Sequence, residues 1–370
     1  MYSESDLEAA VTAGALTTQQ ADRLRAVVAE SRRSPVVDEE SFRLLTGFND
    51  IFVAIAAAIL LIAVGWIGQT LPPHLGGDGP SPFAGLFVAV TAWGLAEYFT
   101  RRRRMALPSI LLLIAFVGGV AATTGFGLVL AIGEAHFESA SATMLALAAT
   151  AVVAGVGALL HWRRFRVPIT VAAATATVVG LVITLVASAI IPAGGPESDA
   201  DATRIRHVLL GVMLVLGIAT FLFAMWWDGS DRERTTRRAD VAFWLHLLAA
   251  PMIAHPVFAL LGLTEGSLSG GGAAIVVALY ILFGLVALAA DRRALLVSAL
   301  AYVLYALDSL FRDYGAVELS IAFTALVIGS ALLLLSAFWH NARRAVVRRL
   351  PDALGERLPV LDRAPAAAAA

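Results

Sequence analysis

Two clusters in the chain carry residue types that could do chemistry, and both lie inside apolar runs. The first is Trp244 to Phe258, WLHLLAAPMIAHPVF, which holds His246, His255, Pro251 and Pro256. Imidazole titrates close to neutrality, so it suits proton movement and metal ligation. Each proline removes a backbone donor. Pro251 frees the carbonyl of Leu247 and Pro256 frees that of Met252. Freed carbonyls in hydrocarbon need other partners, so a broken helix bearing histidines is a pattern that a polar pathway would use. His246 and His255 are nine residues apart, about 180° on a regular helix, an angle that proline kinks would change.

The second cluster is Tyr302, Tyr305, Asp308 and Arg312. Tyr305 and Asp308 are spaced i, i+3 and Asp308 and Arg312 i, i+4, so they share one helix face. A carboxylate inside a membrane is costly and marks a candidate functional site. The plainer reading pairs Asp308 with Arg312 at headgroup level and leaves His255 to bond one neighbouring helix. His255 and Asp308 each lie fourteen residues into their apolar runs, which places them at equal depth. The chemical expectation is a His255–Asp308 pair lining a polar cavity, with the Met252 carbonyl free to accept a further hydrogen bond.

Other chemistry is sparse. The chain has no cysteine and no lysine among its 27 basic residues. That excludes disulfides, thiolate metal sites, cysteine nucleophiles and lysine-bearing phosphate loops. The seven histidines never recur at i, i+3 or i, i+4, so no helical metal site is expected. No cofactor, no nucleic-acid partner and no catalytic set is expected. An intramembrane enzyme ranks behind the other readings, because no nucleophile–base pair is visible.

The elements that must hold these residues are membrane helices. Of 370 residues, 59% are hydrophobic and 15% charged, with a mean hydropathy of +0.80. Charge is too scarce to solvate a soluble protein of this size. Ten apolar spans are expected: 49–70, 83–100, 106–133, 140–162, 167–191, 205–227, 241–263, 273–290, 294–311 and 316–339. The loops after the even spans carry 13 arginines and those after the odd spans carry 3. The positive-inside rule then puts both termini in the cytoplasm. Trp162, Trp226, Trp227, Trp244 and Trp339 fall at the same inner ends, as an interfacial belt does. The fold class is therefore an all-α polytopic bundle of about ten helices in contact with a lipid bilayer.

Within the spans, Gly119, Thr123 and Gly127, and Ala151 and Gly155, recur every four residues. That spacing lets helix backbones approach closely. Glu97 and Arg101 form an i, i+4 pair at an inner boundary. Asn49 and Asp50 suit the N-cap of the first span. Gly270–Gly272 reads as a flexible outer turn, and Arg343, Arg344, Arg348 and Arg349 as a basic juxtamembrane patch after the last span.

Residues 1–33 are polar and read as a cytoplasmic hairpin. Leu7 and Val11 are spaced i, i+4, Gly14 is a helix stop, and Thr17 with Gln20 makes a capping box. Behind it Ala21, Leu24 and Val28 share a face. Residues 34–48 are an interfacial linker, and 340–370 a basic juxtamembrane and disordered tail ending in an alanine run. The string GALTTQQADRL, Gly14 to Leu24, resembles the start of a family of uncharacterised bacterial inner-membrane proteins. In that family a Gly-x-Leu-Thr-x-x-Gln-Ala helical hairpin precedes several membrane helices. The resemblance implies a bacterial inner-membrane location and no particular activity. Two functions remain. One is a transporter-like protein with a pathway, for an unknown small molecule or proton, near the seventh and ninth spans. The other is a non-transporting sensor or assembly module that binds a cytoplasmic protein through its hairpin.

Overall fold

The structure, a computed structural model, describes residues 4–31, 48–192, 194–232, 236–263, 270–293, 296–300, 302–304, 326, 329–331, 338–351 and 358–361. It divides into two compact units, one of residues 1–42 with 360–370 and one of residues 43–359.

In the first unit, α1 (Glu4–Thr12) and α2 (Thr18–Ser31) are joined by a tight turn. Gly14 ends α1 at φ +72°, a conformation that a side chain resists. The capping box forms: Gln20 N–H donates to Thr17 Oγ1 at 3.2 Å and Thr17 N–H to Gln20 Oε1 at 2.9 Å. Leu7 and Ala21 are buried, while Leu24 stays exposed.

The second unit is helical, and no strand occurs among the described residues. It runs α3 (Phe48–Gln69), α4 (Pro82–Ala96), α5 (Ala106–Ile132), α6 (Ala140–Phe165), α7 (Ile169–Ile190), α8 (Asp199–Gly229), α9 (Arg237–Leu260), α10 (Gly270–Ala290) and α11 (Trp339–Val347). A wider π-helical turn, Glu97–Arg102, extends α4. Seven of these helices, α3 to α9, are long and apolar enough to cross a membrane, and Ala274–Ala290 of α10 is apolar but shorter. The expected spans at 294–311 and 316–339 lie largely outside the described residues.

Three expectations need correction. Asn49 and Asp50 sit inside the first turn of α3, which already includes Phe48, so neither is its N-cap. Gly270–Gly272 belong to the first turn of α10. Pro251 and Pro256 do not break α9, which runs unbroken over both. Proline's fixed φ is helical, and only the missing hydrogen bond distinguishes it; neighbouring helices supply the support a kink would otherwise relieve.

The first span buries mostly small residues and exposes large ones. On α3, Ala54, Ala57, Leu61 and Gly68 are buried, while Phe52, Ile55, Ile59, Ile62 and Trp66 are exposed. This inverts the soluble pattern and gives the bundle the apolar outer surface that lipid requires. Consecutive helices from α3 to α9 lie side by side, with α3 also on α5 and α7 on α9. One close crossing joins α4 and α5. A Cβ at Gly85 or at Gly119 would stand 2.6 Å from the other's carbonyl oxygen, and Thr123 lies against Gly85 as well. Gly127, the third member of that series, meets nothing within 4 Å. Gly155 of α6 lies against Thr177 of α7.

The centre is α9. In its apolar window 56% of residues are buried, against 17–33% in the other six spans. It is therefore the helix best placed to shelter polar groups from lipid.

Candidate functional site

The strongest polar constellation is built where α8 ends and α9 begins. On α8, Gly217, Thr220, Ala224 and Asp228 are buried at intervals of three and four, a stripe that faces one neighbour. Asp228 is the last step of that stripe and is fully enclosed. Its carboxylate accepts two parallel bonds from Arg292, Nη2 to Oδ1 at 2.6 Å and Nε to Oδ2 at 3.1 Å. His246 of α9 lies against the same Oδ2 through Nε2, at 3.1 Å. A carboxylate so held by guanidinium has only acceptor sites to offer, so Nε2 of His246 carries the proton. Arg292 Nη2 also donates to the Ala239 carbonyl at 3.2 Å, and its guanidinium lies 5.9 Å from the Phe243 ring centroid. Phe221 packs edge-on against the His246 ring at 5.0 Å.

The side chains of Asp228, His246 and Arg292 are 0%, 2% and 5% exposed. Enclosure at that level makes the ion pair strong electrostatically and costly to leave incomplete. Arg292 is one of the arginines expected in a loop after an even span. It instead turns inward, because the bidentate fork satisfies both it and the carboxylate at once.

A second acidic centre adjoins in sequence. Asp291, at φ +56°, accepts from Trp339 Nε1 at 2.9 Å and lies 3.5 Å from Arg343 Nε. Arg293 stacks over Trp339 at 4.7 Å. Arg343 Nη2 donates to the Pro359 carbonyl at 2.8 Å and Arg232 Nε to that of Leu358 at 3.1 Å. Trp339, expected in an interfacial belt, and Arg343, expected in a basic juxtamembrane patch, are both buried, at 2% and 4% exposed. Both are held inward by the Asp291 carboxylate, which needs buried donors of its own.

The sequence-derived candidates separate. His246 joins Asp228. His255, nine residues on and about 13 Å further along the axis, shares a 2.7 Å hydrogen bond between Nδ1 and Tyr302 Oη. Phe258 stacks on that tyrosine at 4.2 Å. Tyr305, Asp308 and Arg312 lie outside the described residues, and so does the expected His255–Asp308 pair. The Met252 carbonyl, freed by Pro256, is covered by Gly217, where a Cβ would come within 2.9 Å; the missing side chain lets the α8 backbone close over it. His255 also closes one end of a groove of about 460 Å³ between α7 and α8, lined mainly by aliphatic side chains with Arg206.

A third polar contact, at the end of α4, extends a pair read from the sequence. Glu97 meets Arg101 at 3.3 Å and also takes a bidentate pair from Arg164 of α6 at 2.6 and 2.9 Å. The Arg164 partner is 67 residues away and has no local signal. Asp228 continues the buried stripe of Gly217, Thr220 and Ala224, and its partners His246 and Arg292, 18 and 64 residues on, have no local signal either. Among the described residues, no group of three or more His, Asp or Glu is placed to hold a metal ion.

Comparison with protein-family models, curated proteins and solved structures finds no match.

Proposed function

We propose that the chain is a multi-pass membrane protein that senses or assembles rather than transports. In this reading it has ten spans and both termini in the cytoplasm of a bacterium, and it acts through its N-terminal hairpin. One observation carries the choice: the Asp228 carboxylate is held by His246 and Arg292 of its own bundle and is sealed from solvent. A transport site must meet water and cargo during its cycle. This centre instead fastens the end of α8 to α9 and to the Arg292 turn. The 13-to-3 arginine bias supports the orientation.

The transporter reading keeps one supporting observation. His255 and Tyr302 form a polar pair beside an open groove, on a helix containing two prolines. A single cysteine separates the two readings in this cysteine-free chain. Leu245, fully buried beside His246, is replaced by cysteine and probed in inside-out vesicles with a small thiosulfonate. The expected outcome is no labelling over hours, with rapid labelling of Ser230→Cys as the positive control. Progressive labelling at position 245 would mean that the centre opens to water, and would favour transport.

A further inference from the structure

The groove at the far end of the bundle has a shape and a charge pattern that the reading above does not use. Along α8 its wall runs from Ala202 through Ile205 and Leu209 to Met213. Those twelve residues of helix span about 16 Å, close to one leaflet of a ~30 Å hydrocarbon core. Ile183 and Ile191 form the opposite wall, and the volume is about 460 Å³. At its deep end lies His255, whose Nδ1 is engaged with Tyr302.

The mouth is different. Arg206 lines the groove, and Arg204 lines an adjoining recess that shares Ile205. Arg204 bonds Asp201 at 3.0 Å while remaining 73% exposed. Orientation does not account for these two arginines, because they stand on the side where the chain otherwise avoids basic residues. They are set beside carboxylates: Glu197 follows the groove residue Pro196, and Asp199 and Asp201 open α8. Glu197 is exposed, as is Arg206. A mouth of mixed sign, above an aliphatic slot one leaflet deep, complements a headgroup that carries both signs.

We propose that this groove binds one acyl chain of a zwitterionic phospholipid from the surrounding bilayer. The phosphate sits on Arg206 and Arg204, and the headgroup ammonium on Glu197 and Asp199. Guanidinium suits phosphate because its planar fork donates two bonds at once. A carboxylate excludes a purely anionic headgroup by like-charge repulsion and accepts hydrogen bonds from a primary ammonium. The inference holds whichever reading of function is correct, since a bound lipid requires no transport step.

The test is lipid retention by the full chain. The protein is purified from membranes, exchanged into mixed phosphatidylethanolamine and phosphatidylglycerol nanodiscs, and released for native mass spectrometry. Wild type is expected to retain one phosphatidylethanolamine with a preference of about tenfold, the effect of one or two charge-assisted bonds. Glu197→Gln should erase that preference while retaining lipid. Arg206→Gln should reduce retention of both lipids. Ala202→Trp, which fills the slot from an exposed position, should abolish retention without changing the unfolding temperature. Equal retention of the two lipids by wild type would overturn the headgroup assignment. Undiminished retention in Ala202→Trp would overturn the site.

Discussion

Asp228 cannot be lost alone. Asp228→Asn removes the charge that balances Arg292 in a site with almost no solvent. Breaking one partner of such a pair costs about 3–5 kcal/mol, whereas replacing both by apolar residues of similar volume costs far less. Asp228→Asn should therefore strongly destabilise the protein in detergent. The double replacement Asp228→Leu with Arg292→Met should recover most of that loss, as read by denaturant or thermal unfolding of the set. A double variant as unstable as the single one would show that the pair does not behave as a closed unit. At this scale the sequence was legible by residue type more than by partner. His246 stood out because histidine is rare in hydrocarbon, yet nothing local pointed to a carboxylate 18 residues earlier. Glu97–Arg101 was readable because i, i+4 neighbours meet on any helix. Arg164 was not, because tertiary packing brought it there.

Helices were more legible than contacts. The ends of α5 at Ala106 and Ile132 fall within a residue of the expected 106–133, since apolar length alone sets a span. The small-residue spacing on α5 was also readable, but only the structure separates its members. Gly119 meets the α4 backbone and Gly127 meets nothing. Gly119→Val should thus destabilise by about 1–3 kcal/mol, because an overpacked backbone contact has no side chain to move aside. Gly127→Ala should be neutral or slightly stabilising through helix propensity. The same argument applies to Gly217→Val, which would push α8 off the Met252 carbonyl. Unfolding midpoints of the three variants measure this, and equal effects at 119 and 127 would contradict it. The prolines of α9 mark where periodicity misleads. A proline predicts a lost hydrogen bond, and whether the helix breaks depends on what packs against it.

For the whole molecule, orientation is the property most open to test. Asp78→Cys and Glu197→Cys should react with an impermeant maleimide in intact cells, and Ser230→Cys should not. All three positions are exposed, so labelling reports sidedness rather than burial. Reaction at position 230 would break the alternation of spans. Membrane character was evident from composition, and α3 to α9 carry it in length and hydropathy. The bonds from Arg232 and Arg343 to the carbonyls of Leu358 and Pro359 were not evident. The arginines at 232, 292 and 343 look solvated in sequence and are distinguished only by the carbonyls and carboxylates they find.

The distance along the chain between Asp228 and its two partners also sets an order in time. Translation adds about 5–20 residues per second. His246 lies 18 residues after Asp228 and Arg292 lies 64 after it, so the first follows within about 1–4 s and the second about 3–13 s later than the aspartate. For those seconds the carboxylate at the end of α8 waits for the Arg292 guanidinium. His246 precedes that guanidinium as a donor and arrives with the helix destined to lie beside α8. Final closure of the bundle waits for the α10 turn to be made, and the carboxylate can leave water only once that turn has delivered its charge.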